Sequence, residues 1–214
     1  MSSRDKILKS INRHLVPAAP LPDMDQAWIQ FDNPTEQFLT MLSAVGGRGE
    51  VVANLQAVSA KLHEEPFYDD AKQICSLVPN LDISADKQVD LNAIEDPHDL
   101  ADIDFAIVPG EFAVAENGAI WVTDAQVKHK ALYFIAQHVV IVVHASDILH
   151  NMHEAYPRTG LNTEAFQQTP HFGVFISGPS KTADIEQSLV IGAHGARSLR
   201  VFLVEESFDR AQFK

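Results

Sequence analysis

The sequence predicts an α/β fold in which helices cover both faces of a sheet. Amphipathic helical patterns alternate with short apolar runs along the middle of the chain, as this architecture requires. The 214 residues, of which 46% are hydrophobic and 21% charged, are enough for one well-buried domain. The longest apolar run, residues 139–143, has the length of a strand and not of a membrane span.

An N-terminal segment, residues 1–25, is predicted to be separate from an α/β body, residues 26–214. Ile7, Leu8 and Ile11 recur at helical spacing, which predicts an amphipathic helix over residues 3–14. Three prolines between residues 17 and 22 then predict an extended tether. The N-terminus lacks the apolar core of a signal peptide, so we expect a cytoplasmic protein.

The body begins with a helix at Asn33-Pro34, because a capping residue precedes a proline at the first helical position. Gly46-Gly47 ends that helix. A short helical turn is expected from Glu111, followed by a tight turn at Asn117-Gly118 and a strand. Strands are predicted at residues 50–52, 74–78, 105–108, 139–143, 174–176 and 200–204, and further helices at residues 54–65, 128–136, 146–156 and 182–191.

Charge and cysteine content exclude several functions. The net charge of -13 argues against nucleic acid as the main partner, because a phosphate backbone requires clustered basic residues. Cys75 is the single cysteine, which excludes an internal disulfide and a cysteine-ligated iron–sulfur cluster within one chain. Any redox chemistry would therefore need a partner or a bound cofactor, whose identity stays open. Cys75 lies in an apolar run and is interpreted as a buried small hydrophobe.

The turn after the strand at residues 174–176 is predicted to bind an anion. A helix starting at Ser180 or Thr182 would point free N–H groups and its positive dipole end toward the turn. The expected ligand-binding residues are Ser177, Gly178, Ser180, Lys181 and Thr182, which combine hydroxyls, an adaptable backbone and one positive charge.

A simpler interpretation of the same turn is that its hydroxyls only cap the helix and that Gly178-Pro179 only reverses the chain. Asp184 in the first helical turn would also compete with an anion for the N–H groups. A nucleotide-binding P-loop does not fit, because Pro179 stands where the phosphate-binding lysine is required.

Glu116 and His194 are the candidate catalytic residues. Glu116 precedes a turn between two apolar segments, where a carboxylate can act as a general base or a nucleophile. It can equally bond backbone N–H groups of the turn. His194 is flanked by glycines, which let a backbone approach a ligand closely. His150 and His153 share one face of a predicted helix, but the sequence shows no further metal ligands beside them, so no metal site is predicted.

Three motifs together are similar to the LutC/YkgG family of lactate utilization proteins, also called the LUD domain. They are Gly178-Pro179-Ser180-Lys181-Thr182-Ala183-Asp184-Ile185, Gly192-Ala193-His194-Gly195-Ala196 and Val114-Ala115-Glu116-Asn117-Gly118-Ala119. The likeness runs from about residue 30 to the end. Ala196 departs from the pattern, because the family commonly has proline there.

The resemblance implies the fold shared by ribose-5-phosphate isomerase, glucosamine-6-phosphate deaminase and CoA transferases (NagB/RpiA/CoA transferase-like), a three-layer α/β/α body around a largely parallel sheet. It also implies a role in the oxidation of L-lactate to pyruvate, beside an iron–sulfur partner protein and a second partner rich in cysteines. Glu116-Asn117-Gly118 further resembles the Ser-Glu-Asn-Gly motif of CoA transferases, with Ala115 in place of the serine.

Three functional hypotheses follow. The first is a component of an L-lactate utilization system that binds a small anionic ligand near Glu116 and His194. The second is an independent acyl- or CoA-transferring or sugar-phosphate enzyme that uses Glu116. The third is a non-catalytic assembly subunit whose N-terminal helix and tether hold partners together. Whether the chain is an enzyme stays open at this point, as does a homo-oligomeric state.

Overall fold

The computed structural model describes residues 2–16, 19–20, 26–124, 127–161, 172–183 and 189–208. The helices are α1 (Ser3–Arg13), α2 (Pro34–Ala44), α3 (Leu55–Leu62), α4 (Leu132–Ile135) and α5 (Met152–Arg158), with short 3-10 helices at Leu91–Ala93 and Pro97–Asp102. The strands are β1 (Arg48–Val52), β2 (Ile74–Ser76), β3 (Phe105–Pro109), β4 (Phe112–Val114), β5 (Ala119–Thr123), β6 (His138–His144), β7 (Ile148–Leu149), β8 (Gly173–Ile176), β9 (Lys181–Ala183), β10 (Leu189–Ile191) and β11 (Ser198–Val204).

Five parallel strands form the main sheet in the order β1-β11-β6-β3-β2. Val58 and Leu62 of α3 pack on one face of this sheet. Phe38 and Leu42 of α2 pack on the other face, together with side chains of a second sheet. Both faces are therefore covered, which confirms the predicted three-layer α/β/α class with a largely parallel sheet.

A second sheet of four short strands, in the order β7-β4-β5-β8, is included in one of the covering layers. Two segments that were expected to be helical contain strands of this second sheet. The helical turn expected from Glu111 is strand β4, and the helix expected over residues 146–156 is strand β7 followed by α5. Both predictions were wrong because β4 pairs with β5 and β7, which supply backbone partners that local sequence does not reveal.

The helix predicted over residues 182–191 is also wrong in the part of it that the structure describes. Strand β9 instead pairs antiparallel with β10, and Val190 lies opposite Thr182. The β-branched residues of both strands suit this pairing, and Gly192 turns the chain with a φ of +73°. Without a helix start at Ser180, the dipole argument for an anion site in this turn no longer holds. Asp184 lies outside the described residues.

The N-terminal helix is confirmed as α1, with Ser2 and Asp5 forming a reciprocal capping box. Its apolar residues face water: Ile7 is 59% exposed and Ile11 is 53% exposed. Part of the proline-rich tether, including Pro17 and Pro22, lies outside the described residues. Among the helices of the described chain, none is long and apolar enough to span a membrane.

Candidate functional site

Two of the motif segments meet at one cavity of about 230 Å³, which we call the motif cavity. Residues 178–180 line one side of it and residues 194–196 line the other. Tyr133 and Phe134 of α4, together with side chains of β8, complete an apolar wall. The cavity thus has an apolar interior with the Ser180 hydroxyl and the His194 imidazole among its polar groups.

Backbone hydrogen bonds hold the two segments together. The Ser180 N–H donates to the Ala196 carbonyl at 2.8 Å, and the Gly192 N–H donates to the Ser180 carbonyl at 2.9 Å. Gly195 allows this close approach, because a Cβ atom at that position would lie 3.0 Å from the Ser180 Oγ. The glycine at position 195, next to His194, is therefore explained by contact between the two segments.

Gly178 fits the turn against the C-terminal end of α2. Its φ is +76°, and a Cβ atom there would lie 2.3 Å from the Val45 carbonyl oxygen. The Lys181 ammonium group donates to the same carbonyl. A cation at the C-terminal end of a helix interacts favourably with the helix dipole, so this contact stabilises α2. Lys181 and Thr182 lie beyond the residues that line the motif cavity.

Ser177 connects the turn to the third motif. Its hydroxyl donates to the Asn117 carbonyl at 2.9 Å. The side chain of Asn117 in turn accepts from the Ala119 N–H at 3.1 Å. Gly118 packs so closely on α2 that a Cβ atom would lie 2.6 Å from the Leu42 nitrogen. The turn motif and the motif around Glu116 therefore both pack against α2.

Glu116 is exposed and lies outside the lining of the motif cavity. Its carboxylate accepts from the Met152 N–H at 2.9 Å, which provides a partner for a free N–H group at the start of α5. Its own N–H donates to the His150 carbonyl at 3.1 Å. The structure therefore gives Glu116 a capping contact and does not bring it together with His194 in one cavity.

The two histidines that share a predicted helical face are engaged separately. The Nδ1 atom of His150 accepts from the Phe31 N–H at 3.0 Å, and the ring of His153 stacks on Trp28. Within the described residues, no group of three or more histidine, cysteine, aspartate or glutamate side chains is placed to hold a metal ion.

Cys75 is buried, as its apolar surroundings predicted. Burial raises the pKa of its thiol to about 11, so the thiolate is scarce at neutral pH. Tyr133 is a site residue that sequence reasoning missed. Burial raises the pKa of its hydroxyl, which donates to the Thr123 carbonyl at 2.7 Å. No local sequence pattern marked Tyr133 as a cavity residue, because only the tertiary fold brings α4 to the motif cavity.

The parallel sheet, the flanking helices and the small cavity beside the turn after β8 together define an α/β protein with a candidate small-molecule site. Residues 50–204 match the family model of the LUD domain. The chain therefore belongs to the LUD domain family, which confirms the family resemblance carried by the motifs.

Curated relatives are similar in sequence to about half of this chain. It is 29% identical over 102 residues to lactate utilization protein C of Bacillus pumilus, and the match covers 48% of this chain and 42% of the relative. It is 26% identical over 100 residues to the uncharacterized protein YkgG of Escherichia coli, covering 47% of this chain and 43% of the relative. The matches thus span less than half the length of these curated relatives.

A solved structure shows a related fold. The crystal structure of a DUF162 family protein from Deinococcus radiodurans superposes with a TM-score of 0.59 and covers 80% of this chain and 96% of that structure. The sequence identity is 16%, so this likeness concerns the fold alone.

Proposed function

We propose that the protein is a component of an L-lactate utilization system, in which L-lactate is oxidised to pyruvate, and that it binds a small anionic ligand. Membership of the LUD domain family and the relatives named lactate utilization protein C support the system. The observation that carries ligand binding is the meeting of the two motif segments at the motif cavity.

The ligand is a small carboxylate in this proposal. Tyr133, Phe134 and the side chains of β8 offer apolar contact to its carbon chain. Ser180 and His194 offer hydrogen bonds to its polar end. Gly178 contributes main-chain atoms to the wall. Lys181 and Thr182 lie on β9 outside the cavity lining, and the contact of Lys181 with the end of α2 holds the turn in place.

Electron transfer in the proposed system falls to partner proteins. Oxidation of L-lactate to pyruvate removes two electrons and two protons, and the electrons need an acceptor. One cysteine cannot supply the ligands of a cysteine-bound cluster. We therefore infer that iron–sulfur and cysteine-rich subunits accept the two electrons, and that this chain acts beside them.

Exposed apolar surface supports the presence of such partners. Leu189, Val190 and Ile191 of β10 are 61%, 45% and 53% exposed, and β9 follows Ser180 directly. Exposure of three consecutive apolar side chains on a two-stranded ribbon to water is unfavourable. A partner that covers this ribbon would lie beside the motif cavity. The exposed apolar face of α1 is a second surface of this kind.

Thermal unfolding in the presence of single ligands tests the binding proposal. L-lactate, pyruvate, phosphate, a nicotinamide dinucleotide, a flavin and CoA are added separately, because a ligand that binds the native state raises the unfolding temperature. A carboxylate should give a shift that is lost in Ser180→Ala and His194→Gln. Thr182→Ala, which alters the same motif outside the cavity lining, is the matched control. The absence of a shift with every ligand would contradict this site.

Glu116 is the proposed catalytic residue that needs a separate test. Glu116→Gln keeps an oxygen that can accept from the Met152 N–H and removes the charge. Lost lactate-dependent growth with unchanged unfolding and unchanged partner binding would assign chemistry to the carboxylate. Normal growth would restrict Glu116 to capping α5.

The assembly role is tested by deleting residues 1–22. If α1 holds the partners, the shortened chain no longer co-purifies with the iron–sulfur subunits, whereas the Ser180→Ala variant still does. Unchanged co-purification of the shortened chain would show that α1 does not hold the partners. The β9–β10 ribbon would then be tested with Val190→Lys.

A further inference from the structure

A second and larger cavity lies at the amino-terminal ends of the main-sheet strands, which we call the amino-end cavity. Its volume is about 500 Å³, within the range of small-molecule sites. Arg48, Phe105, His138 and Ser198, the first residues of β1, β3, β6 and β11, line it. Four parallel strands thus begin at this cavity.

The two cavities lie on opposite faces of the main sheet. Val139 and Leu199 line the motif cavity, whereas the adjacent residues His138 and Ser198 line the amino-end cavity. Successive side chains of a strand point to opposite faces, so β6 and β11 contribute to both cavities from different sides. The amino-end cavity is therefore a separate space, and the proposed function does not use it.

His138 is the central polar group of the amino-end cavity. Its Nδ1 atom lies 2.8 Å from the Ser198 Oγ, within hydrogen-bonding distance. Its ring stacks with those of Phe105, at a centroid distance of 4.7 Å, and Phe67, at 5.7 Å. Burial and the charge of Arg197 lower the pKa of His138, so its imidazole is neutral at physiological pH.

Phe67 has two features that are unusual for a phenylalanine. Its φ is +70°, in the left-handed region that bulky side chains avoid, and its side chain is exposed at 68% relative accessibility. Backbone strain of this kind occurs where the surrounding structure enforces it. Here it holds an aromatic ring over His138 at the wall of a cavity.

Among the described residues, the charges around the cavity leave one lining guanidinium, that of Arg197, without an ion pair. Glu65 pairs with both Arg48 and Arg200. Arg197 lines the cavity and is exposed, and its guanidinium makes no ion pair with any residue that the structure describes.

The acidic groups of the lining do not occupy Arg197. The carboxylate of Asp104 accepts from the Lys72 and Gln73 N–H groups, at 2.7 and 3.1 Å. Asp70 is exposed, where water and salt screen its charge. Within the described residues, no ion pair of Arg197 therefore competes with a bound anion.

We propose that the amino-end cavity binds a small organic anion that carries a flat ring or conjugated group. Arg197 pairs with the carboxylate or phosphate, and the Ser198 hydroxyl and the imidazole of His138 supply further hydrogen bonds. The flat group packs against the exposed ring of Phe67. This chemistry differs from that of the motif cavity. The motif cavity is smaller and mostly apolar, and the described residues that line it include no arginine.

The test uses the full chain, labelled for NMR, and benzoate as the probe. Benzoate should shift the His138 ring signals and the backbone amides of Arg197 and Ser198. Benzamide keeps the ring without the charge, and acetate keeps the charge without the ring, so both should bind more weakly. Arg197→Gln should weaken benzoate binding by about tenfold, the usual cost of losing a charged hydrogen bond. Arg13→Gln on α1 is the matched control and should leave the affinity unchanged.

Phe67→Gly separates ligand contact from a structural role. Glycine adopts a φ of +70° without strain, which offsets the greater entropy of its unfolded chain, so the variant should unfold at a similar urea concentration and yet bind benzoate several-fold more weakly. The proposal is wrong if benzoate leaves His138 and Arg197 unshifted, or if Arg197→Gln binds it as tightly as the natural chain. Shifts confined to Gly178 and His194 would also overturn it, since they would place the anion in the motif cavity.

Discussion

The Ser177 hydroxyl donates a hydrogen bond to the Asn117 main-chain carbonyl across 60 positions of the chain, at an oxygen–oxygen distance of 2.9 Å. This contact joins the turn after β8 to the turn before β5. Both turns also pack on α2 through glycines that leave no room for a side chain. These two motif segments are therefore parts of one packed unit beside α2.

Removing that contact should destabilise the protein modestly. Ser177→Ala is expected to lower the free energy of unfolding by about 1 kcal/mol, the typical net value of one hydrogen bond. Ser84→Ala is the control, because Ser84 is exposed and its hydroxyl makes no hydrogen bond within the described residues. Urea unfolding measures both variants. Equal stability of the two would show that the Ser177 contact contributes nothing in water.

Gly178→Ala should lower the free energy of unfolding by more than the positive φ of this residue alone explains. The variant combines a φ of +76° with a Cβ atom placed 2.3 Å from the Val45 carbonyl oxygen. Gly46→Ala has a similar φ of +84°, but its nearest contact is 3.6 Å away. We expect a loss of about 1 kcal/mol for Gly46→Ala and a clearly larger loss for Gly178→Ala. Thermal unfolding compares them, and equal losses would refute the proposed clash.

Two adjacent glutamates should differ strongly in their contribution to stability. The side chain of Glu65 is 8% exposed and pairs with Arg48 and Arg200. The Nε atom of Arg200 lies 2.7 Å from its carboxylate, as an ion-pair contact without hydrogen-bond geometry. The side chain of Glu64 is 64% exposed and pairs only with Lys61 among the described residues.

Glu65→Gln is therefore expected to lower the free energy of unfolding by about 3 kcal/mol, because it leaves a partly buried arginine without one of its partners. Glu64→Gln should cost less than about 1 kcal/mol, as exposed ion pairs do. Urea unfolding at fixed ionic strength checks both values. A small effect of Glu65→Gln would mean that Glu50, which also pairs with Arg200, compensates for the loss.

The pKa of His138 should respond to Arg197. Burial is the first cause that lowers this pKa below its ordinary value of 6.5, and the Arg197 charge is the second. Since the unfolded chain binds the proton more tightly, stability is lost as the pH falls from 6.5 toward the folded-state pKa. Arg197→Gln should raise the folded-state pKa, as an NMR titration of the His138 ring would measure. Arg13→Gln on α1 should leave it unchanged, and a fall in the first variant would contradict this assignment.

The apolar runs were sufficient to predict the main sheet. Strands of a parallel sheet are buried on both faces, so the stretch around Val140 and Val142 is apolar throughout and marks a strand without further information. The glycine and serine motifs likewise located the segments that line the motif cavity. Helix α1 followed from its own apolar spacing, and the capping box that the structure adds needs no tertiary partner either.

The conformation of short segments was decided by the tertiary structure. The stretch after Ser180 has a capping residue, yet its described residues form β9 and β10, because these two strands pair with each other and Ser180 bonds the backbone of Ala196 and Gly192. The placement of Glu116 at the start of α5 depends on the pairing of β4 with β7. The amino-end cavity likewise joins Phe67, His138 and Arg197, which are far apart in sequence and meet only because four parallel strands start at the same edge. Local patterns determine which segments are buried, whereas contacts between distant segments determine which side chains share a cavity.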